Sequence, residues 1–183
     1  MPAPGQCWRH IVLTTRRAWM PGDPRGFRSR RHRVHSTGDY RHPPPADEHA
    51  GLRAHALRLA GGAARIVFES VEIRRRVGIE FIDYLVDTCS QQVAIIAVAP
   101  THTHLLATTP VDLEETRRLI GEAKATASNA IREFIPGRVW ADGGGFREIR
   151  NRAHQRRTFQ YIARHQAEGA WVWTCRDPTP PKD

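Results

Sequence analysis

The feature that most constrains this chain is the stretch Val93–Thr109, VAIIAVAPTHTHLLATT. Two apolar runs flank a short polar turn that carries His102 and His104. Val93–Ala99 is β-branched and bounded by Pro100, so it reads as a buried strand. His104–Thr109 reads as the next strand. Alternate residues of an extended chain point to one face, so His102 and His104 project together from the mouth of a hairpin. Two imidazoles on a rigid element make half of a metal site. The chain has ten histidines, so one His-x-His pair arises by chance about half the time, and two surface histidines at a strand start are the plain alternative. The rest of the chain decides between them.

At 183 residues the chain reads as a single domain, 1–183. Its 40% hydrophobic content is enough for a core. No apolar run approaches the length of a membrane span, and the N-terminus lacks a signal-peptide pattern. Cys7, Cys89 and Cys175 are odd in number and far apart, which argues against disulfides or a zinc–thiolate site and fits a reducing cytoplasm. The formal net charge is +9. Such a charge implies nucleic acid as partner, because basic side chains release the counterions held by phosphates. Nearly all of the basic residues are arginine, which suits bidentate phosphate contacts and stacking.

Read from the start, Cys7–Thr15 is strand-like, with Trp8, His10, Val12 and Thr14 on one face. A basic insertion follows over about 20–65. Within it, Met20–Pro45 has almost no aliphatic residues and reads as a long loop. Arg25, Arg28, Arg30 and Arg31 make it either a DNA-contacting arm or a solvated insertion. Ala46–Leu59 reads as a short helix, broken by Gly61-Gly62. Ser70–Cys89 has helical apolar spacing through Ile73, Val77, Phe81 and Leu85; Gly78 weakens this helix without ending it, and Tyr84 reads as core. Val111–Phe134 repeats the helical pattern, with Asp112, Glu114 and Glu115 where the helix dipole favours acids. Glycine-jointed strand material follows over 138–149. Asn151 is an N-cap for a last helix, Arg152–Gln166. Trp171-Val172-Trp173 is an aromatic segment, read as packing against the body rather than stacking on bases, and a Pro-rich tail occupies 177–183. There is no internal repeat. The expected fold is α+β: a ferredoxin-like βαββαβ core, an antiparallel sheet with helices on one face, plus a C-terminal helix.

That last helix carries a polar stripe. His154, Thr158, Tyr161 and His165 fall at helical spacing on one face. Phe159, Ile162 and Ala163 lie elsewhere and can face a core. A hydroxyl nucleophile thus sits one turn before an imidazole. Tyr161 could attack a phosphodiester and keep the bond energy as a phosphotyrosine. A free tyrosine titrates near 10, so it needs activation. A divalent metal on His102, His104 and His165 could polarise the phosphate, and Arg157 and Arg164 could hold neighbouring phosphates. Three imidazoles suit Mn²⁺ better than Mg²⁺, which prefers oxygen; the expected cofactor is Mn²⁺ or Mg²⁺ with Mn²⁺ favoured. The plain alternatives are a structural phenol at Tyr161 and a C-terminal cation at His165.

Pro100-Thr101-His102-Thr103-His104-Leu105-Leu106, with the apolar strand before it and Tyr161-Ile162 on a late helix, resembles the single-tyrosine HUH transposases of the insertion-sequence and REP-associated kind. Trp19–Phe27 also resembles an early loop of some members. The resemblance spans about His10 to Gln166. It implies a metal-dependent single-stranded DNA endonuclease and strand transferase that acts through a 5′-phosphotyrosine. It further implies a homodimer that recognises DNA hairpins, working in the bacterial cytoplasm at the nucleoid. Tyr161 would be the nucleophile and His102 and His104 paired ligands. The third ligand would be His165, with Gln166, the residue type often found in relatives, as the alternative. Thr103 departs from the usual hydrophobic residue. The rival reading is a non-catalytic hairpin- or repeat-binding protein derived from such a transposase. A structural zinc protein would need four ligands. A carboxylate nuclease is disfavoured because no Asp or Glu lies between Asp87 and Asp112.

Overall fold

The computed structural model describes residues 2–23, 37, 42, 45, 47–59 and 65–178. Arg25, Arg28, Arg30 and Arg31, most of the basic loop and the end of the tail lie outside them. The chain forms two compact units, Arg17–Arg65 and the remainder, Met1–Arg16 with Ile66–Asp183. The smaller unit contains helix α1 (Ala50–Leu59), which has no buried residue. There Gly22, at φ +82°, lies against the Arg53 backbone so closely that any Cβ would collide with it.

The larger unit is an α+β fold with one antiparallel sheet. Its elements are β1 (Gln6–Thr14), α2 (Val71–Asp83), β2 (Val93–Val98), β3 (His102–Pro110), α3 (Leu113–Ala130), β4 (Gly145–Glu148), α4 (Arg152–Arg164) and β5 (Trp171–Thr174). The strand order is β4-β1-β3-β2-β5 with every pair antiparallel. The first four strands and α2 and α3 therefore make the expected βαββαβ core. The fifth strand does not follow from the sequence pattern: the aromatic segment extends the sheet beyond β2, pairing Val98 with Trp171 and Ile96 with Trp173.

Alternation on the strands divides the core into two layers. On one face Ile11, Leu13, Ile96, Val98 and Leu105 pack with Val77, Phe81, Ile120 and Ala123 of α2 and α3. On the other, Ile95, Ala97 and Leu106 pack with Ile162 of α4, and Phe159 and Ala163 close the edges. Burying each of the Val, Leu, Ile and Phe side chains contributes about 1.5–3 kcal/mol. The C-terminal helix is thus seated on the sheet face opposite α2 and α3. Thr103 is fully buried among the first layer, on the face opposite its two histidine neighbours, and its hydroxyl has no hydrogen-bond partner.

Three helix N-termini are capped by side chains, and Asn151 is the cap the sequence predicts. Ser70 accepts from Ile73 N, Asp112 from Glu115 N, and Asn151 from His154 N. α2 is shorter than its apolar spacing suggests. After Asp83 the chain widens into a π-turn, Tyr84–Thr88, where Leu85 stays buried and the Tyr84 hydroxyl donates to Glu122. Among the described residues no helix is long and apolar enough to cross a membrane.

Candidate metal centre and phosphate cleft

β3 begins at His102, so both histidines lie on the strand itself rather than in the turn before it. The turn closes by Ala99 N donating to His102 O at 2.8 Å. With two strand residues fixed at this spacing, the rings stand 5.0 Å apart, centroid to centroid. α4 crosses the same sheet face and ends at Arg164. His165 opens a single 3₁₀ turn, His165–Glu168, which Gly169 terminates at φ +84°. The seating of Ile162 in the apolar layer sets the rotation of α4, and that rotation aims His165 at β3. Its ring stacks on His104, with centroids 4.5 Å apart and planes at 8°, and meets His102 edge-on at 5.5 Å.

One ring nitrogen of each of His102, His104 and His165 lies within 4.8 Å of the others, so the three could hold a metal ion. Two observations test the fit. His165 Nδ1 lies 2.8 Å from Glu168 Oε2, while its Nε2 is buried with no hydrogen-bond partner. A carboxylate can only accept, so Nδ1 carries the proton and Nε2 presents a lone pair with nothing to satisfy it. That is the arrangement of a metal-binding imidazole backed by a carboxylate. Second, burial, with smaller contributions from His102, His165 and His10, depresses the His104 pKa to about 2. The ring is neutral at pH 7, as a ligand must be.

Tyr161, one turn before His165, is 48% exposed, whereas His104 and His165 are at 5% and 7%. Its ring meets those of His165 and His104 edge-on, at 5.1 and 5.5 Å. The phenol therefore sits at the boundary between a dry imidazole cluster and open solvent. It borders a cleft of about 730 Å³ between α4 and β4, lined also by His10, Phe146, Arg147, His154, Arg157 and Thr158. The trough continues past Arg150 and Asn151 at the start of α4. Arg147 and Arg157 give it a positive wall.

The structure brings His102, His104, His165, Tyr161 and Arg157 to one place. Arg164 is exposed and does not line this cleft, and Gln166 is exposed on the following turn. His10, Arg147, Arg150 and Glu168 also border this candidate site, and the sequence reading did not single them out. His10 Nε2 lies 3.0 Å from His104 Nδ1 and their rings stack at 5.2 Å. Burial, then the charges of Arg147, His154 and His165, lowers its pKa to about 4. The one available signal was that His10 alternates with Val12 on a strand. Trp173 is buried in the core, and its indole donates to Pro178 O, which leaves no face for a base.

Comparison with solved structures finds a REP-associated tyrosine transposase bound to a REP hairpin, with a TM-score of 0.48 and 13% identity over 89% of this chain and 68% of that one. No family model and no curated protein sequence matches.

Proposed function

We propose that this protein is a metal-dependent single-stranded DNA endonuclease and strand transferase in which Tyr161 is the nucleophile. One observation carries the reading: on α4 an exposed phenol stands one turn from a buried imidazole, edge-on to the three-histidine cluster and open to an arginine-walled cleft. The phenol supplies a nucleophile, the cluster a cation site and the cleft a seat for phosphates.

In the reaction, Tyr161 Oη attacks a backbone phosphorus, the P–O3′ bond breaks, and the 5′ end remains on the enzyme as a phosphotyrosine. The phenolic proton leaves and the departing O3′ is protonated, so the strand ends as a free 3′-hydroxyl. Attack by another 3′-hydroxyl on the phosphotyrosine reverses the step and joins strands without a further energy source. His102, His104 and His165 would hold the divalent ion, which supplies charge stabilisation for the phosphoryl oxygens. Arg147 and Arg157 would fix the flanking phosphates. All-nitrogen ligation favours Mn²⁺ over Mg²⁺. Hairpin-bearing single strands as substrate and a homodimeric enzyme complete the proposal, and light scattering of the purified protein tests the latter.

The test is a denaturing gel with end-labelled single-stranded hairpins from the flanking DNA and Mn²⁺. Wild type should give a covalent protein–DNA band that Tyr161→Phe and His102→Ala both abolish. Tight, salt-sensitive binding with no such band, across several flanks and with Mn²⁺, Mg²⁺ and Zn²⁺, overturns the catalytic reading and leaves a DNA-binding protein.

A further inference from the structure

His10 comes from β1, is paired to Leu106 across the ladder, and sits diagonally from His104 on the same sheet face. Its Nε2 lies 3.0 Å from His104 Nδ1. The contact commits one nitrogen of His104, and only Nε2 remains for a metal. A neutral imidazole has one N–H and one lone pair. Two assignments are therefore open, with opposite consequences. If His10 Nε2–H donates, the His104 proton sits on Nε2 and blocks the coordinating atom. If His104 Nδ1–H donates and His10 Nε2 accepts, His104 Nε2 keeps its lone pair. His10 then carries its own proton on Nδ1.

We propose that His10 is a positioning residue of the metal centre, holding His104 in the Nδ1–H tautomer so that Nε2 faces the ion. This rests on the three-histidine metal reading above. The structure supplies a matched device at the neighbouring ligand. Glu168 accepts from His165 Nδ1 at 2.8 Å and leaves His165 Nε2 buried and unpartnered. Two stacked ligand rings are thus each backed at Nδ1, one by a carboxylate and one by an imidazole. The difference matters because His10, unlike Glu168, lines the cleft beside Arg147. The backing group of His104 is shared between the metal centre and the place where phosphates would bind.

Zn²⁺ is the probe, as the tightest binder of the ions considered for such a site. Its affinity is measured by competition with a chromophoric chelator for wild type, His10→Phe and His10→Gln, with folding checked by circular dichroism. Phenylalanine keeps the ring and removes the acceptor; glutamine restores an acceptor oxygen. Loss of a backing partner costs roughly 10–100-fold in metal affinity. We expect that loss in His10→Phe and recovery of most of it in His10→Gln. Long-range ¹H–¹⁵N correlation on the metal-free wild type should show His104 as the Nδ1–H tautomer, a readout that a packing role for His10 would not set. If wild type takes up Zn²⁺ but His10→Phe binds within twofold of it, or His104 is the Nε2–H tautomer, this inference falls and the metal reading stands. If wild type takes up no Zn²⁺, the metal reading falls and takes this inference with it.

Discussion

Two glycines lie inside long helices, and the same substitution should move stability in opposite directions. Gly78 is buried in α2, and a Cβ built there would stand 2.0 Å from Trp171 Cζ3 and 2.5 Å from Cε3. Carbon atoms in contact prefer about 3.5–4.0 Å, so the indole or the helix must retreat by more than an ångström. The indole cannot retreat freely, because Trp171 is paired to Val98 in the sheet. Overpacking of this kind costs about 1–3 kcal/mol, against a gain of about 1 kcal/mol from replacing a helical glycine by alanine. Gly78→Ala should therefore gain nothing and lose up to about 2 kcal/mol. Gly121 in α3 has nothing within 4 Å of the same Cβ position, so Gly121→Ala should gain about 1 kcal/mol. For a domain of this size each kcal/mol moves the melting temperature by about 2–4 °C. Urea and thermal unfolding of the two variants beside wild type decide the matter. Equal stabilisation by both substitutions would refute the packing of α2 on β5. It would also refute the placement of the strand that follows the His165 turn.

Three further outcomes are expected. Thr103→Val removes a buried hydroxyl that has no partner and should raise stability by about 1–3 kcal/mol in urea unfolding; a loss would show that the hydroxyl is bonded. His10 and His104 are neutral in the fold with pKa values of about 4 and about 2 against 6.5 when unfolded. Below pH 6.5 the unfolded chain then binds protons that the folded chain refuses, so stability is full above that pH and falls as the pH drops toward those values. His104 contributes about 1.4 kcal/mol per pH unit and the more solvated His10 less. In chelator-treated protein, unfolding at pH 7, 6 and 5 should show a slope that His104→Gln flattens. Finally, Zn²⁺ at a hundred times its Kd should stabilise wild type by about 2.7 kcal/mol, seen as a melting shift of about 5–10 °C that chelator reverses and His102→Ala abolishes.

What could be read in advance follows from how local each relation is. His102 and His104 share a face because a strand alternates, and Tyr161 and His165 share one because a helix repeats; both pairs need only the periodicity of a single element. The four-strand core was legible for the same reason, each element carrying its own apolar rhythm. β5 was not, since Trp171–Thr174 has four residues and finds its place through Gly78 and the open edge of β2. The π-turn at Tyr84–Thr88 likewise has no pattern that sets it apart from continued helix. His10 escaped notice because its neighbour is 94 residues away and depends on the β1–β3 register. Glu168 reaches His165 only because α4 tightens into a 3₁₀ turn at its end.

Tyr161 lies on α4 and His165 on the 3₁₀ turn that continues it, and this placement has a mechanical consequence. Their rings are 5.1 Å apart on a body anchored to the sheet through Ile162, while His102 and His104 belong to the sheet itself. Any tilt of α4 away from β3 carries off the phenol and the third imidazole in the same movement. In the proposed reaction, nucleophile and cation site would move as one: a displaced helix would neither cut with an incomplete cluster nor keep the cluster complete while the phenol wanders. An enzyme of the proposed kind would have in that shared lever a guard against misfiring, built from nothing more than a four-residue spacing.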